Sequence, residues 1–286
     1  MSTIYWLASY PKSGNTWMRV LLTNYLRDAD TPADINNLRG GPIASGREFF
    51  DEFIGIEASD LTQDEIEQWR PLVYKRAARD AEPPLFLKVH DAYIQTPDNQ
   101  PLIPPEATAG VLYLIRNPLD IAVSYAHHGN VSVEEAVRRM ANPKYVLSFN
   151  KRRLHNQLRQ RVLTWGGHVT SWVDASGLRI LIVRYEDLKR DTFSTFERVI
   201  RFCGLPMESH RIEKAVEFST FEQLANQERE VGFEEKNVHA SSFFRKGIVG
   251  SWKEQMPSQL IKQIIADHGD VMARFGYLDV NGRPVS

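Results

Sequence analysis

Four short runs rich in β-branched and aromatic residues, at positions 4–9, 85–90, 111–115 and 179–184, constrain this chain more than any other feature. Stretches with helical spacing separate them. The first of these stretches, 16–26, sets Trp17, Val20, Leu21, Asn24 and Tyr25 roughly along one face, and others follow at 61–80, 119–128, 157–173 and 192–202. Strands that alternate with helices form a parallel sheet covered on both faces, so the expected class is α/β. No repeat, low-complexity tract or composition break interrupts the pattern, and one domain over 1–286 is expected.

In such sheets ligands bind beyond the carboxyl ends of the strands. The four ends here are Ser9-Tyr10-Pro11-Lys12, Lys88-Val89-His90-Asp91, Ile115-Arg116-Asn117-Pro118 and Val183-Arg184-Tyr185-Glu186, and together they offer a site for an anion. The cationic character is local, because 35 Lys and Arg are balanced by 36 Asp and Glu. That balance argues against nucleic acid or an anionic membrane surface as partner. The chain starts without a basic n-region and meets Pro11 and Lys12 early, and no apolar run approaches the ~20 residues of a membrane span, so a cytoplasmic, unanchored protein is expected. The single cysteine, Cys203, reads as a small buried hydrophobe. His127 and His128 are adjacent at a helix end rather than spaced as ligands, and no metal site is expected.

The segment Tyr10-Pro11-Lys12-Ser13-Gly14-Asn15-Thr16-Trp17 joins the first strand to the first helix. Gly14 lets the backbone approach a ligand, the N–H groups of the helix start face it, and Lys12 and Thr16 add a cation and a hydroxyl. This is a phosphate cradle. It differs from a Walker A loop, in which the lysine follows the second glycine. The segment resembles the 5′-phosphosulfate loop of sulfotransferases that use 3′-phosphoadenosine 5′-phosphosulfate (PAPS), differing from the usual form only at Asn15. Two further segments match in order. Arg116-Asn117-Pro118 through Ser124-Tyr125 resembles the family's 3′-phosphate segment, and Phe244-Arg245-Lys246-Gly247 through Gly250-Ser251-Trp252-Lys253 resembles its C-terminal Arg-Lys-Gly motif.

The resemblance implies a P-loop-like sulfotransferase fold with PAPS as co-substrate. Lys12, Ser13, Gly14, Asn15, Thr16 and Trp17 then meet the 5′ side of the nucleotide; Arg116, Ser124, Arg245, Lys246 and Gly247 meet the 3′-phosphate; Trp17, Tyr185, Ser219 and Phe221 surround adenine. Leu85 through His90 ends in Lys88 and His90, two residues apart and hence on one face of the pleat. In the family pattern Lys-x-His, the histidine takes the acceptor proton and the lysine holds charge on the transferring group. An unperturbed imidazole titrates near pH ~6.5, which makes a neutral histidine available as a base. Lys12, Lys88 and His90 are therefore the expected catalytic residues.

A P-loop-type kinase shares the strand, loop and helix layout, but this chain lacks the Walker lysine position and a convincing Mg²⁺ carboxylate, and a kinase would leave the 3′-phosphate segment unexplained. A catalytically inactive nucleotide-binding protein is the other alternative. Two departures stand out: Ser251 replaces the usual aspartate of Gly-Asp-Trp-Lys, which is expected to soften closure of the C-terminal segment, and Met256 through Lys262 does not match the family's short dimer motif, which leaves oligomeric state open. The partner is expected to be a small acceptor bearing a hydroxyl or amine. Its identity depends on Tyr93 and on the segments 31–55, 143–149 and 231–244, which read as loops of little regular pattern, as does 227–244 as a whole.

Overall fold

A computed structural model describes residues 3–39, 43–150, 154–237 and 240–285. The parts of the expected acceptor loops at 40–42 and 238–239 lie outside the described residues. Among the described residues six strands form: β1 Ile4–Ser9, β2 Leu85–Val89, β3 Thr108–Ile115, β4 Val146–Leu147, β5 Gln160–Arg161 and β6 Ile180–Arg184. Four of them build the central parallel sheet, in the order β2-β1-β3-β6. The parallel β1–β2 ladder runs in register from Ile4 opposite Leu85 to Ala8 opposite Val89. From Gly110 to Ile115 every residue of β3 is buried, the signature of a strand covered on both faces. The edge strand β6 is buried only at Val183.

The chain divides into two compact units. One comprises Met1–Tyr10, Gly40–Tyr113 and Asn142–Ile182, the other Pro11–Arg39, Leu114–Ala141 and Val183–Ser286. In the first, the helix Gln63–Asp80 starts on a reciprocal cap, with the Thr62 side chain accepting from the Glu65 N–H and the Glu65 side chain accepting from the Thr62 N–H. Its buried face presents Arg70, which forms a buried ion pair with Asp91. In the second, the helix Asn15–Arg27 follows Gly14 at φ 99° and stops at Asp28 in the left-handed region. No helix among the described residues is long and apolar enough to cross a membrane.

Three sequence expectations need correction. The helix expected over 157–173 covers only Trp165–Val173, because Gln160 and Arg161 pair antiparallel with Leu147 and Val146 and the Thr164 hydroxyl caps the helix by accepting from Gly167 N at 2.9 Å. Inside the expected loop 31–55 lies the helix Arg47–Ile54, whose Phe49 and Phe50 are buried. The beginning of the expected loop 227–244 completes the helix Phe221–Val231. In the second case Gly and Pro nearby masked a short amphipathic pattern; in the third, Gly232 ends the helix soon after the expected loop begins.

Candidate active site

Every residue expected to meet the nucleotide falls in the second unit. The expected cradle is a backbone turn in which Lys12 at φ 70° and Gly14 at φ 99° are left-handed. Lys12 holds that conformation without being glycine, which marks local strain. Gly14 is required twice over, since a Cβ there would lie 2.8 Å from the ring of Tyr185. The Ser13 hydroxyl oxygen is buried and has no hydrogen-bond partner among the described residues, whereas buried hydroxyls are as a rule hydrogen-bonded. Asn15 and Thr16, both buried, open the helix.

Arg116 follows β3 and is 8 % exposed. It donates to the carbonyl oxygens of Lys12 and Ile248, each at 3.2 Å, its guanidinium lies 4.2 Å from the centre of the Tyr185 ring, and its Nε has no partner among the described residues. Partial burial and then the Arg116 charge hold both Arg245 and Lys189 below their ordinary pKa. These are the electrostatics of cations gathered where an anion can be bound. Lys12 Nζ sits 3.9 Å from the centre of the Phe243 ring. Glu186, buried, accepts from Asn117 N at 2.9 Å and from the Tyr277 hydroxyl at 3.0 Å; desolvation raises its pKa despite those donors.

The aromatic residues cluster beside the cradle. Trp17 packs edge-on against Tyr185 at 5.9 Å and donates from its indole to the Ser219 carbonyl at 2.8 Å, while the Ser219 hydroxyl accepts from Asn24 at 3.0 Å. A Cβ on Gly247 would lie 2.3 Å from Phe221, so these two expected residues are in intimate contact. Ser124 is half-buried on the helix Pro118–Gly129. Lys246 is drawn outward, 3.6 Å from Glu254 on the surface.

Lys88 and His90 belong to the first unit. Lys88 is fixed by its backbone, opposite Leu7 in the ladder and accepting from Ala44 N at 2.8 Å. His90 follows β2 directly, with Nδ1 at 2.8 Å from the Ser9 carbonyl oxygen and 3.3 Å from the Ser9 hydroxyl. A carbonyl only accepts, so this contact assigns the proton to Nδ1 and leaves the lone pair on Nε2.

Beneath His90 lies a network for which the sequence offered no motif. His168, fully buried, takes a hydrogen bond from the Tyr113 hydroxyl at Nδ1, 2.8 Å, and its Nε2 lies 3.2 Å from the His90 carbonyl oxygen. Desolvation lowers the His168 pKa to about 3, so the ring is neutral. Asp91 is gripped by Arg70 at 3.0 and 2.5 Å, accepts from Arg161 N at 3.1 Å, and its carbonyl receives the Trp172 indole N–H at 3.0 Å. Asp91 stood beside the Lys-x-His pattern, but Arg70 and His168 come from distant helices, and only the fold reveals them.

The comparisons with known proteins agree with one another. Residues 3–276 match the family described as "Sulfotransferase domain". Mouse Sulfotransferase 1E1 is 25 % identical over 259 residues, covering 89 % of this chain and 78 % of the relative. Dog Sulfotransferase 1A1 is 23 % identical over 275 residues, 94 % of this chain and 83 % of the relative. Among solved structures, mouse sulfotransferase SULT7A1 complexed with PAP superposes with a TM-score of 0.59 at 17 % identity, covering 99 % of this chain and 87 % of that one. A retinol dehydratase in complex with retinol and PAP gives 0.60 at 20 % identity, covering 95 % and 81 %. At these identities the structures establish the P-loop-like fold, and the match over nearly the whole length establishes that the chain belongs to the sulfotransferase family.

Proposed function

We propose that this sulfotransferase takes its sulfuryl group from PAPS and transfers it to a hydroxyl or amine of a small acceptor, releasing adenosine 3′,5′-bisphosphate (PAP). The observation that carries the reading is the set of groups around Arg116: a guanidinium whose Nε lacks a partner among the described residues, a neighbouring Arg245 whose pKa is depressed by burial and by that charge, and a turn whose Ser13 hydroxyl likewise has no partner among those residues. Such groups fit a dianionic phosphate monoester and a phosphosulfate. PAP in two structural relatives supports the same nucleotide class. We take the two compact units as parts of one domain, a reading supported by the family match running through both.

PAPS supplies an activated sulfuryl group on a phosphosulfate anhydride. In the second unit, Lys12, Ser13, Gly14, Asn15 and Thr16 hold the 5′ side and Lys12 opposes charge on the leaving phosphate. Arg116, Ser124, Arg245, Lys246 and Gly247 hold the 3′-phosphate, with Lys246 exchanging its surface partner Glu254 for that anion. Trp17, Tyr185, Ser219 and Phe221 enclose the base. In the first unit, His90 accepts the acceptor proton at Nε2 while Nδ1–H stays on the Ser9 carbonyl, and Lys88 offsets sulfuryl charge.

Calorimetry with PAP and 5′-AMP tests this. Two charge-assisted hydrogen bonds to the 3′-phosphate at about 1.5 kcal/mol each amount to about a hundredfold tighter binding of PAP. Equal affinities would overturn the 3′-phosphate reading and favour a kinase.

A further inference from the structure

The Arg245–Lys246–Gly247 segment is held at both ends by carboxylates. At its start, Glu228 accepts from Phe243 N at 2.6 Å and from Phe244 N at 2.8 Å. At its end, Asp120 accepts from Gly250 N at 2.7 Å, from the Ser251 hydroxyl at 2.8 Å and from Trp252 N at 3.2 Å. Asp120 is fully buried and Ser251 nearly so. Ser251 stands at the N-cap of the short helix Trp252–Gln255, yet its side chain caps nothing there. Its hydroxyl is spent on Asp120, and Asp120 takes over the exposed N–H groups of the turn.

Asp120 lies one helical turn before Ser124 on Pro118–Gly129, so one rigid helix carries a residue assigned to the 3′-phosphate and grips the turn that follows the other two. We infer that Asp120 is a positioning residue for 3′-phosphate recognition, acting through the Ser251 hydroxyl to set the register of Arg245 and Lys246 against Ser124. The inference rests on the reading of this unit as a 3′-phosphate site. The Ser251 hydroxyl donates to Asp120, a hydrogen bond for which an aspartate at 251 would have no proton to give.

The test is a charge exchange read by calorimetry with PAP and with 5′-AMP, folding being followed by circular dichroism. Ser251→Asp is expected to weaken PAP about a hundredfold, because it loses a charge-assisted hydrogen bond and buries like charges together, while leaving 5′-AMP within about twofold. Asp120→Asn combined with Ser251→Asp restores a donor and acceptor pair and is expected to recover at least tenfold of that loss. Ser251→Ala deletes the hydroxyl alone and is expected to cost about tenfold in PAP affinity, which keeps the test open if the aspartate variant does not fold. PAP binding at wild-type strength in Ser251→Ala or Ser251→Asp, an equal loss of 5′-AMP, or no recovery in the double variant would each overturn the inference. Wild-type protein that fails to prefer PAP over 5′-AMP would instead overturn the 3′-phosphate reading beneath it.

Discussion

Acidification should unload the fold through His168, and the size of the effect follows from its burial. The ring is fully buried, accepts from the Tyr113 hydroxyl and touches the His90 carbonyl, and its pKa is lowered from 6.5 to about 3. The folded state therefore refuses a proton that the unfolded chain accepts below pH 6.5, so stability is lost as pH falls through that window and the loss levels off near pH 3. At 1.36 kcal/mol per pH unit the complete loss is about 5 kcal/mol, of which about 2 kcal/mol falls between pH 7 and pH 5. His268 in the second unit, lowered to about 4 by desolvation, adds a parallel loss, so the wild type alone cannot isolate either ring. His168→Gln can isolate it, since a glutamine amide can accept from Tyr113 and donate to the His90 carbonyl without titrating. Urea denaturation at pH 7 and pH 5, followed by tryptophan fluorescence, should show the wild type losing about 2 kcal/mol more than the variant. Equal losses in the two proteins would refute the argument that burial keeps His168 neutral.

His90→Ala should lower kcat about 10²- to 10⁴-fold on a good acceptor while leaving PAP affinity within about twofold, since the residue is assigned to the proton and not the nucleotide; full turnover from pH 6 to 8 would make His90 a strand-end residue only. Gly247→Ala forces a Cβ to 2.3 Å from Phe221 at φ 57° and should weaken PAP at least about tenfold by calorimetry, from left-handed strain and displacement of the ring; unchanged binding would mean that Phe221 does not define the base pocket.

Local chemistry was legible in the sequence because local geometry governs it. The first strand runs from Ile4 to Ser9 as its apolar pattern predicts, and Gly14 sits at the left-handed turn its lack of a side chain permits. The β2 strand stops at Val89, one residue short of the expected end, which leaves His90 just beyond the ladder. Short helices were harder. Arg47–Ile54 lies in a stretch whose glycines and prolines signal a loop, and Thr164 ends the extended pairing of Gln160 and Arg161 in a way no periodicity records.

What the sequence by itself determined is the α/β class and the tight turn at Gly14, because strand and helix periods and the residues of a tight turn are set by neighbours along the chain. Only the tertiary structure decided the supporting shell. Arg70 reaches Asp91 across 21 residues, His168 reaches the His90 carbonyl across 78, and Asp120 reaches Ser251 across 131. Each of these contacts is set by packing rather than spacing. A buried charge or imidazole must find its partner wherever the fold brings one, and nothing in the local pattern of either residue names the other.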